Sequence, residues 1–171
     1  MENLVGKKVI LRPPETNDIP FFVRLLNDEE NRFQLMLQPG CWDRRKVEKW
    51  LGKRIDGRDC EFFVALDAST EAPFGFVQLD GISRVSRFGY FGVCIDKPMR
   101  RKGYFKEIYF LFERHLLSLG IRKILLEVLK ENELAIKLYE KIGFVHVGVL
   151  REHIIARGSY WDVLVMEKLV G

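Results

Sequence analysis

Arg100, Arg101 and Lys102 stand immediately before Gly103 in the stretch PMRRKGYFKEIYF, and beyond the glycine Phe105, Ile108, Tyr109 and Phe112 recur at helical spacing. A helix start presents unpaired backbone N–H groups and about half a positive charge, so a glycine flanked by cations there suits a small anion such as phosphate. The same residues also fit an ordinary solvated face, and the stretch alone does not separate the two. Other reactive types are scattered. His115, His146 and His153 show no metal-ligand spacing with one another or with cysteine, and no metal site is expected. Cys94, in a strand-like segment with no partnered histidine in view, reads as inert rather than nucleophilic.

The whole chain sets the limits. Its 171 residues fit one domain, 1–171, with a real core. The balance of 28 Lys+Arg against 24 Asp+Glu gives a net charge of +4, too weak for a nucleic-acid binder with a long basic stripe. The cluster of Lys97, Arg100, Arg101 and Lys102 instead suits a few phosphates on a small ligand. Cys41, Cys60 and Cys94 are odd in number and form no CxxC pair, which argues against a disulfide framework and for a reducing, cytoplasmic setting. No apolar run reaches the ~20 residues of a membrane span, and MENLVGKKVILRP lacks the features of a signal peptide, so no membrane partner is expected.

The elements that must position these residues follow from periodicity. KKVILRPP reads as a strand ended by its prolines. TNDIPFFVRLLND reads as a helix capped by Thr16 or Asp18, and DRRKVEKWLGKRI as a second helix that Gly57 stops. Three β-type segments follow, CEFFVALDA, PFGFVQLDGI and RFGYFGVCID, and read as an antiparallel meander. Then come helix 103–120, strand 122–129, helix 132–143 and two strand-like stretches, 144–156 and 159–169. Helices alternating with strands require crossovers, hence a parallel pair inside a mixed sheet.

With ENELAIKLYEKIGF lying about 30 residues beyond RRKGYF, the pair resembles the two signatures of the GNAT acetyltransferase superfamily. The first pattern maps onto Arg100, Gly103 and Phe105, and the second onto Asn132, Ala135, Tyr139, Gly143 and Phe144. Phe105 departs from it, since the family has a tiny residue there. The resemblance runs from Val9 to Leu169 and implies an α/β fold, a mixed, mostly antiparallel twisted sheet flanked by helices, with a parallel pair splayed at the cofactor site. It implies acetyl-CoA as cosubstrate. The coenzyme would be held by backbone at Val93, Cys94 and Ile95, by the phosphate loop Arg100, Arg101, Lys102, Gly103, Tyr104 and Phe105, and by Asn132.

Acetyl transfer to an amine needs a neutral nucleophile, a home for the oxyanion and help for the leaving thiolate. Within the resemblance Tyr139 supplies that help as a hydrogen-bond donor. On residue pattern alone it reads equally as a core aromatic beside Ala135, Leu138 and Ile142, and Asn132 reads as a helix cap. Glu127, Glu152, His153 and Asp162 are the candidate bases, with none singled out. A lysine-type amine of pKa ~10.4 is neutral about once in two thousand at pH 7, an α-amine near 7.7–8.0 about once in ten. The missing base therefore favours a weakly basic acceptor. The C-terminal half resembles the branches that acetylate protein N-terminal α-amines and amino sugars, and those acceptors are expected. Phe33, Met36, Leu37, Trp42, Tyr160 and Trp161 read either as the apolar and stacking lining of the acceptor site or, equally, as ordinary core. A silent coenzyme A binder and a nucleic-acid binder are the alternatives, and a monomer or homodimer is the expected assembly.

Overall fold

The structure, a computed structural model, describes residues 2–37, 40–55 and 59–171, so the helix stop expected at Gly57 lies outside the described residues. The chain runs β1 (Leu4–Val5), β2 (Val9–Arg12), α1 (Ile19–Asn27), α2 (Glu29–Gln34), α3 (Arg44–Ile55), β3 (Glu61–Asp67), β4 (Pro73–Ser83) and β5 (Phe88–Ile95). It continues as α4 (Tyr104–Ser118), β6 (Lys123–Leu129), α5 (Glu133–Lys141), β7 (Val145–Ala156) and β8 (Ser159–Leu169), with single-turn helices at Thr16–Asp18 and Lys97–Met99. One eight-stranded sheet has the order β1-β2-β3-β4-β5-β6-β8-β7. Its pairs are antiparallel except β5 against β6, which is the crossover pair expected from the alternation of helix and strand.

A strand covered on both faces needs no polar alternation, and EFFVALD of β3 shows why its apolar run is continuous. Phe62, Val64 and Leu66 point into a core built with α1 and α3, while Phe63 and Ala65 point into the core under α4. Phe22, Phe62, Phe63 and Phe112 are all 0% exposed, each burial contributing roughly 1.5–3 kcal/mol. Helices thus lie on both faces of the sheet, as expected. Gly75 sets one close approach that matters for the site: a Cβ there would meet the Cys94 carbonyl oxygen at 2.3 Å, so only glycine lets β4 lie this near the end of β5. No described helix is long and apolar enough to cross a membrane.

Three expectations change. The first helix divides at Asp18, whose carboxylate does not cap α1 but accepts from Arg12 (2.6 and 2.8 Å) and from the Glu15 backbone (2.7 Å). Trp42 is 7% exposed in the second core, packed edge-on to Trp50 at 6.0 Å, and lines neither cavity described below. Helix α2 was not foreseen. EENRFQ lacks an apolar stripe, and tertiary bonds fix it instead: Asp28 caps the Asn31 N–H (2.9 Å), and the buried Asn31 amide donates to the Leu25 carbonyl (3.0 Å).

Candidate active site

Parallel pairing of β5 with β6 ends at Tyr90 and Leu125, although β5 continues to Ile95 and β6 to Leu129. Each strand stays paired on its outer side, β5 to β4 as far as Ile95 and β6 to β8 as far as Leu129. The two therefore splay, and the edge of β5 over residues 91–95 faces a cavity of about 960 Å³ instead of a strand. An edge of this kind offers backbone donors and acceptors to an extended chain that carries amides of its own. Val93, Cys94 and Ile95 all line it.

One end of the cavity reaches the start of α4. Gly103 is the N-cap at φ 84°, in the left-handed region, and no side chain caps the helix, so its first N–H groups stay open to an anion. Arg101 and Lys102 are exposed beside it; the Lys102 ammonium lies 3.7 Å from the Met99 sulfur. Tyr104 packs on Phe74 at 4.7 Å, and its hydroxyl donates to Asp67 at 2.5 Å. The Ser69 hydroxyl and this bond hold the Asp67 carboxyl well below the usual carboxylate range. Arg100 lines the cavity, but its guanidinium is engaged by protein on three sides: Nε donates to the Ile95 carbonyl (2.9 Å), Nη1 to Glu30 (2.6 Å) and Nη2 to Asn31. Lys97 and then Arg100 hold the Glu30 carboxyl below its ordinary value.

Asn132 and Tyr139 form the opposite wall. The Asn132 carbonyl accepts from the Ala135 N–H (3.2 Å), capping α5, and its amide donates to Gln34 of α2 (2.6 Å), so the cap reading is realised and one amide hydrogen remains. Tyr139 packs against Phe105 (5.7 Å), Phe144 (5.8 Å) and Phe91 (6.3 Å) while also lining the cavity. Its hydroxyl has no hydrogen-bond partner among the described residues, and burial pushes its pKa well above the usual phenol value. Such a hydroxyl is a neutral donor awaiting an acceptor. Cys94 is 6% exposed, and burial pushes its thiol up to about 12, so it stays protonated and is no nucleophile near neutral pH.

Of the candidate bases, Glu127 alone lines the cavity. Glu152 and His153 are exposed on β7, and the Asp162 carboxylate accepts from the Glu152 N–H (2.9 Å) and Lys130 (3.3 Å). Sequence reasoning missed Asp80, which lines the same cavity and sits 3.5 Å from Arg54, a side chain laid over Trp50 at 4.2 Å. Its signal was the Asp80–Gly81 pair inside a strand, where β4 slips register against β5. Phe33, Met36 and Leu37 line a second cavity of about 570 Å³ against Ile154–Gly158, and only Met36 reaches the main one. Trp161 packs on Phe33 (5.0 Å), whereas Tyr160 is exposed. The acceptor lining expected from the sequence is thus brought together only in part. Among the described residues no group of His, Cys, Asp and Glu could hold a metal ion.

A splayed parallel pair with a freed strand edge, an uncapped helix start and an unpartnered phenol line one cavity, an arrangement suited to an extended ligand with an anionic end. The chain belongs to the family described as the acetyltransferase (GNAT) domain, which matches residues 8–145. It is an N-acetyltransferase, and acetyl-CoA is its cosubstrate. Its relatives include the spermidine N(1)-acetyltransferase of Vibrio cholerae, 29% identical over 160 residues that cover 93% of this chain and 91% of the relative. The crystal structure of that species' spermidine N-acetyltransferase with CoA and spermine matches at TM-score 0.89 and 28% identity, over 96% of this chain and 97% of that one. A dodecameric structure from the same organism matches at TM-score 0.82 and 29% identity, over 96% and 95%. The relatives named here are spermidine enzymes, not members of the protein N-terminal or amino-sugar branches expected, and one of them is dodecameric, where a monomer or homodimer was expected of this chain.

Proposed function

We propose that the protein transfers the acetyl group of acetyl-CoA to a primary amine of a small polyamine such as spermidine. The observation that supports this most is the pair of carboxylates, Asp80 and Glu127, in the wall of a largely apolar cleft. A polyamine is an apolar chain carrying several cations, and such a cleft is complementary to it. The relative bound to CoA and spermine supports the same acceptor. A net charge of +4 repels polyamines at long range, but salt screens that repulsion beyond about 8–10 Å, whereas carboxylates act at contact. Glu127 also answers the missing base, as the group that receives the amine proton, directly or through one water.

The remaining residues fall into place around that chemistry. The freed edge at Val93, Cys94 and Ile95 pairs with the pantetheine amides. The first N–H groups of α4, with Arg101, Lys102, Gly103, Tyr104 and Phe105, hold the pyrophosphate. Asn132 offers its remaining amide hydrogen to the coenzyme, and Tyr139 donates to the departing sulfur. Arg100 serves the site from behind.

The test is thiol release from acetyl-CoA with spermidine, spermine, glucosamine and a short peptide with a free N-terminus. Spermidine should exceed glucosamine and the peptide at least tenfold in kcat/KM. Asp80→Asn should lower kcat/KM for spermidine by about tenfold, the worth of one charge-assisted contact at a half-exposed site, and Glu127→Gln, which removes the proton acceptor as well, by about a hundredfold or more, with CoA affinity unchanged in both. A preference for glucosamine or the peptide would overturn the polyamine reading.

A further inference from the structure

Two left-handed residues shape the loop between β5 and α4: Arg101 at φ 60° and Gly103 at φ 84°. For arginine that conformation costs on the order of 1 kcal/mol, so neighbours must hold it. Two pins flank the loop. On the α4 side Tyr104 donates to Asp67 at 2.5 Å. On the β5 side Arg100, adjacent to the strained residue, bonds Ile95, Glu30 and Asn31. Glu30 and Asn31 belong to α2, and Asn31, 1% exposed, anchors that helix to the Leu25 carbonyl.

We propose that Glu30 and Asn31 are positioning residues for the coenzyme phosphates: acting through Arg100, they hold the Arg101–Gly103 loop in its anion-binding shape before the ligand arrives. This rests on the reading of that loop as the phosphate site. The sign of the effect separates it from simple electrostatics. A carboxylate near a phosphate site repels the ligand, so removing its charge should tighten binding. Pinning requires the reverse, because an unpinned loop that is competent about a tenth of the time weakens apparent affinity about tenfold.

The experiment is calorimetric titration of CoA into the parent, Glu30→Gln, Glu30→Leu and Arg101→Glu. Both Glu30 variants lose the charge, but glutamine keeps an oxygen that accepts from Arg100. Glu30→Leu should bind CoA about tenfold more weakly, and Glu30→Gln within about threefold of the parent. S-acetylpantetheine, which lacks the phosphates, is the second readout: its turnover with the best acceptor found for acetyl-CoA should be the same in Glu30→Leu and parent. Tighter or unchanged CoA binding by Glu30→Leu, or an equal loss with S-acetylpantetheine, overturns the inference. If Arg101→Glu binds CoA as the parent does, the phosphate-loop reading falls and the inference with it; if Arg101→Glu weakens binding and Glu30→Leu does not, the inference alone falls.

Discussion

Replacing Tyr139 by phenylalanine isolates one oxygen atom. The ring is held by Phe105, Phe144 and Phe91 at 5.7–6.3 Å between centroids, contacts that phenylalanine keeps. The hydroxyl has no partner among the described residues, so its removal breaks no hydrogen bond, and the melting temperature should hold or rise slightly. Catalysis should respond differently. A hydrogen bond to an atom gaining charge is worth about 1.5–3 kcal/mol, and it strengthens only as the sulfur departs, so kcat should fall roughly ten- to a hundredfold. Affinity for CoA should change little, because the ground-state ligand gains little from that donor. Burial raises the phenol pKa above its ordinary value of about 10, so the hydroxyl stays protonated and adds no limb to the pH–rate profile between pH 6 and about 9. The assay is thiol release at saturating acceptor, with single-turnover mixing to establish that chemistry limits the rate. A kcat within about twofold of the parent under that condition would refute the donor role and leave Tyr139 a packing residue.

Two further outcomes follow from the phosphate end. Acetyl-CoA at about a hundred times its Kd stabilises the folded state by ~2.7 kcal/mol, roughly a 5–10 °C rise in Tm for a chain of this size, and Arg101→Glu should remove most of that rise, as differential scanning fluorimetry would show. Asp67, whose folded pKa is depressed, contributes stability that is fully present above the ordinary carboxylate value near ~4 and is lost progressively as pH falls from there through the lower folded value; the gap between urea midpoints of parent and Asp67→Asn should be full at pH 7, narrower at about pH 3 and still closing below it, and a gap that is constant from pH 7 to about pH 3 would disprove the link.

The sheet was legible because its signals are local and strong. Alternation in PFGFVQLDGI and the apolar run in EFFVALD reflect strands half or wholly covered, and the helix–strand–helix order required the one parallel pair. Gly103 was legible for the same reason, since a glycine before an apolar helical stripe marks a helix start. Contacts between residues far apart in sequence were not. Arg100 meets Glu30 across 70 positions and Asn132 meets Gln34 across 98, and no pattern in either segment announces the other. The phosphate-ligand reading of Arg100 thus carried no hint that its guanidinium bonds Glu30 and Asn31 of α2 and the Ile95 carbonyl of β5. Helix α2 itself was invisible because a buried asparagine amide and a cap, not an apolar stripe, fix it. Asp80 alternates regularly with Leu79 and shares its face with Gln78, but which face of β4 meets the cavity is set by the splay of β5 from β6, a contact between distant segments that the local pattern does not announce.

Phe105 shows how a departure from a family pattern is absorbed. A side chain larger than the pattern allows must fill space near the phosphate loop, and its ring stacks on Tyr109 at 6.3 Å while meeting the edge of Tyr139 at 5.7 Å. The backbone N–H belongs to the first turn of α4 whatever the side chain, so its value to an anion does not depend on the ring. What the ring changes is the wall. Together with Phe91 and Phe144 it surrounds Tyr139 with apolar surface, and it is this burial that raises the phenol pKa and leaves the hydroxyl without competing partners. In a medium less polar than water a donated hydrogen bond is worth more, so under the proposed donor role of Tyr139 the bulk that breaks the motif at Phe105 would strengthen that donor, and Phe105→Ala should lower kcat while Tyr139→Phe in the Phe105→Ala background costs less than in the parent.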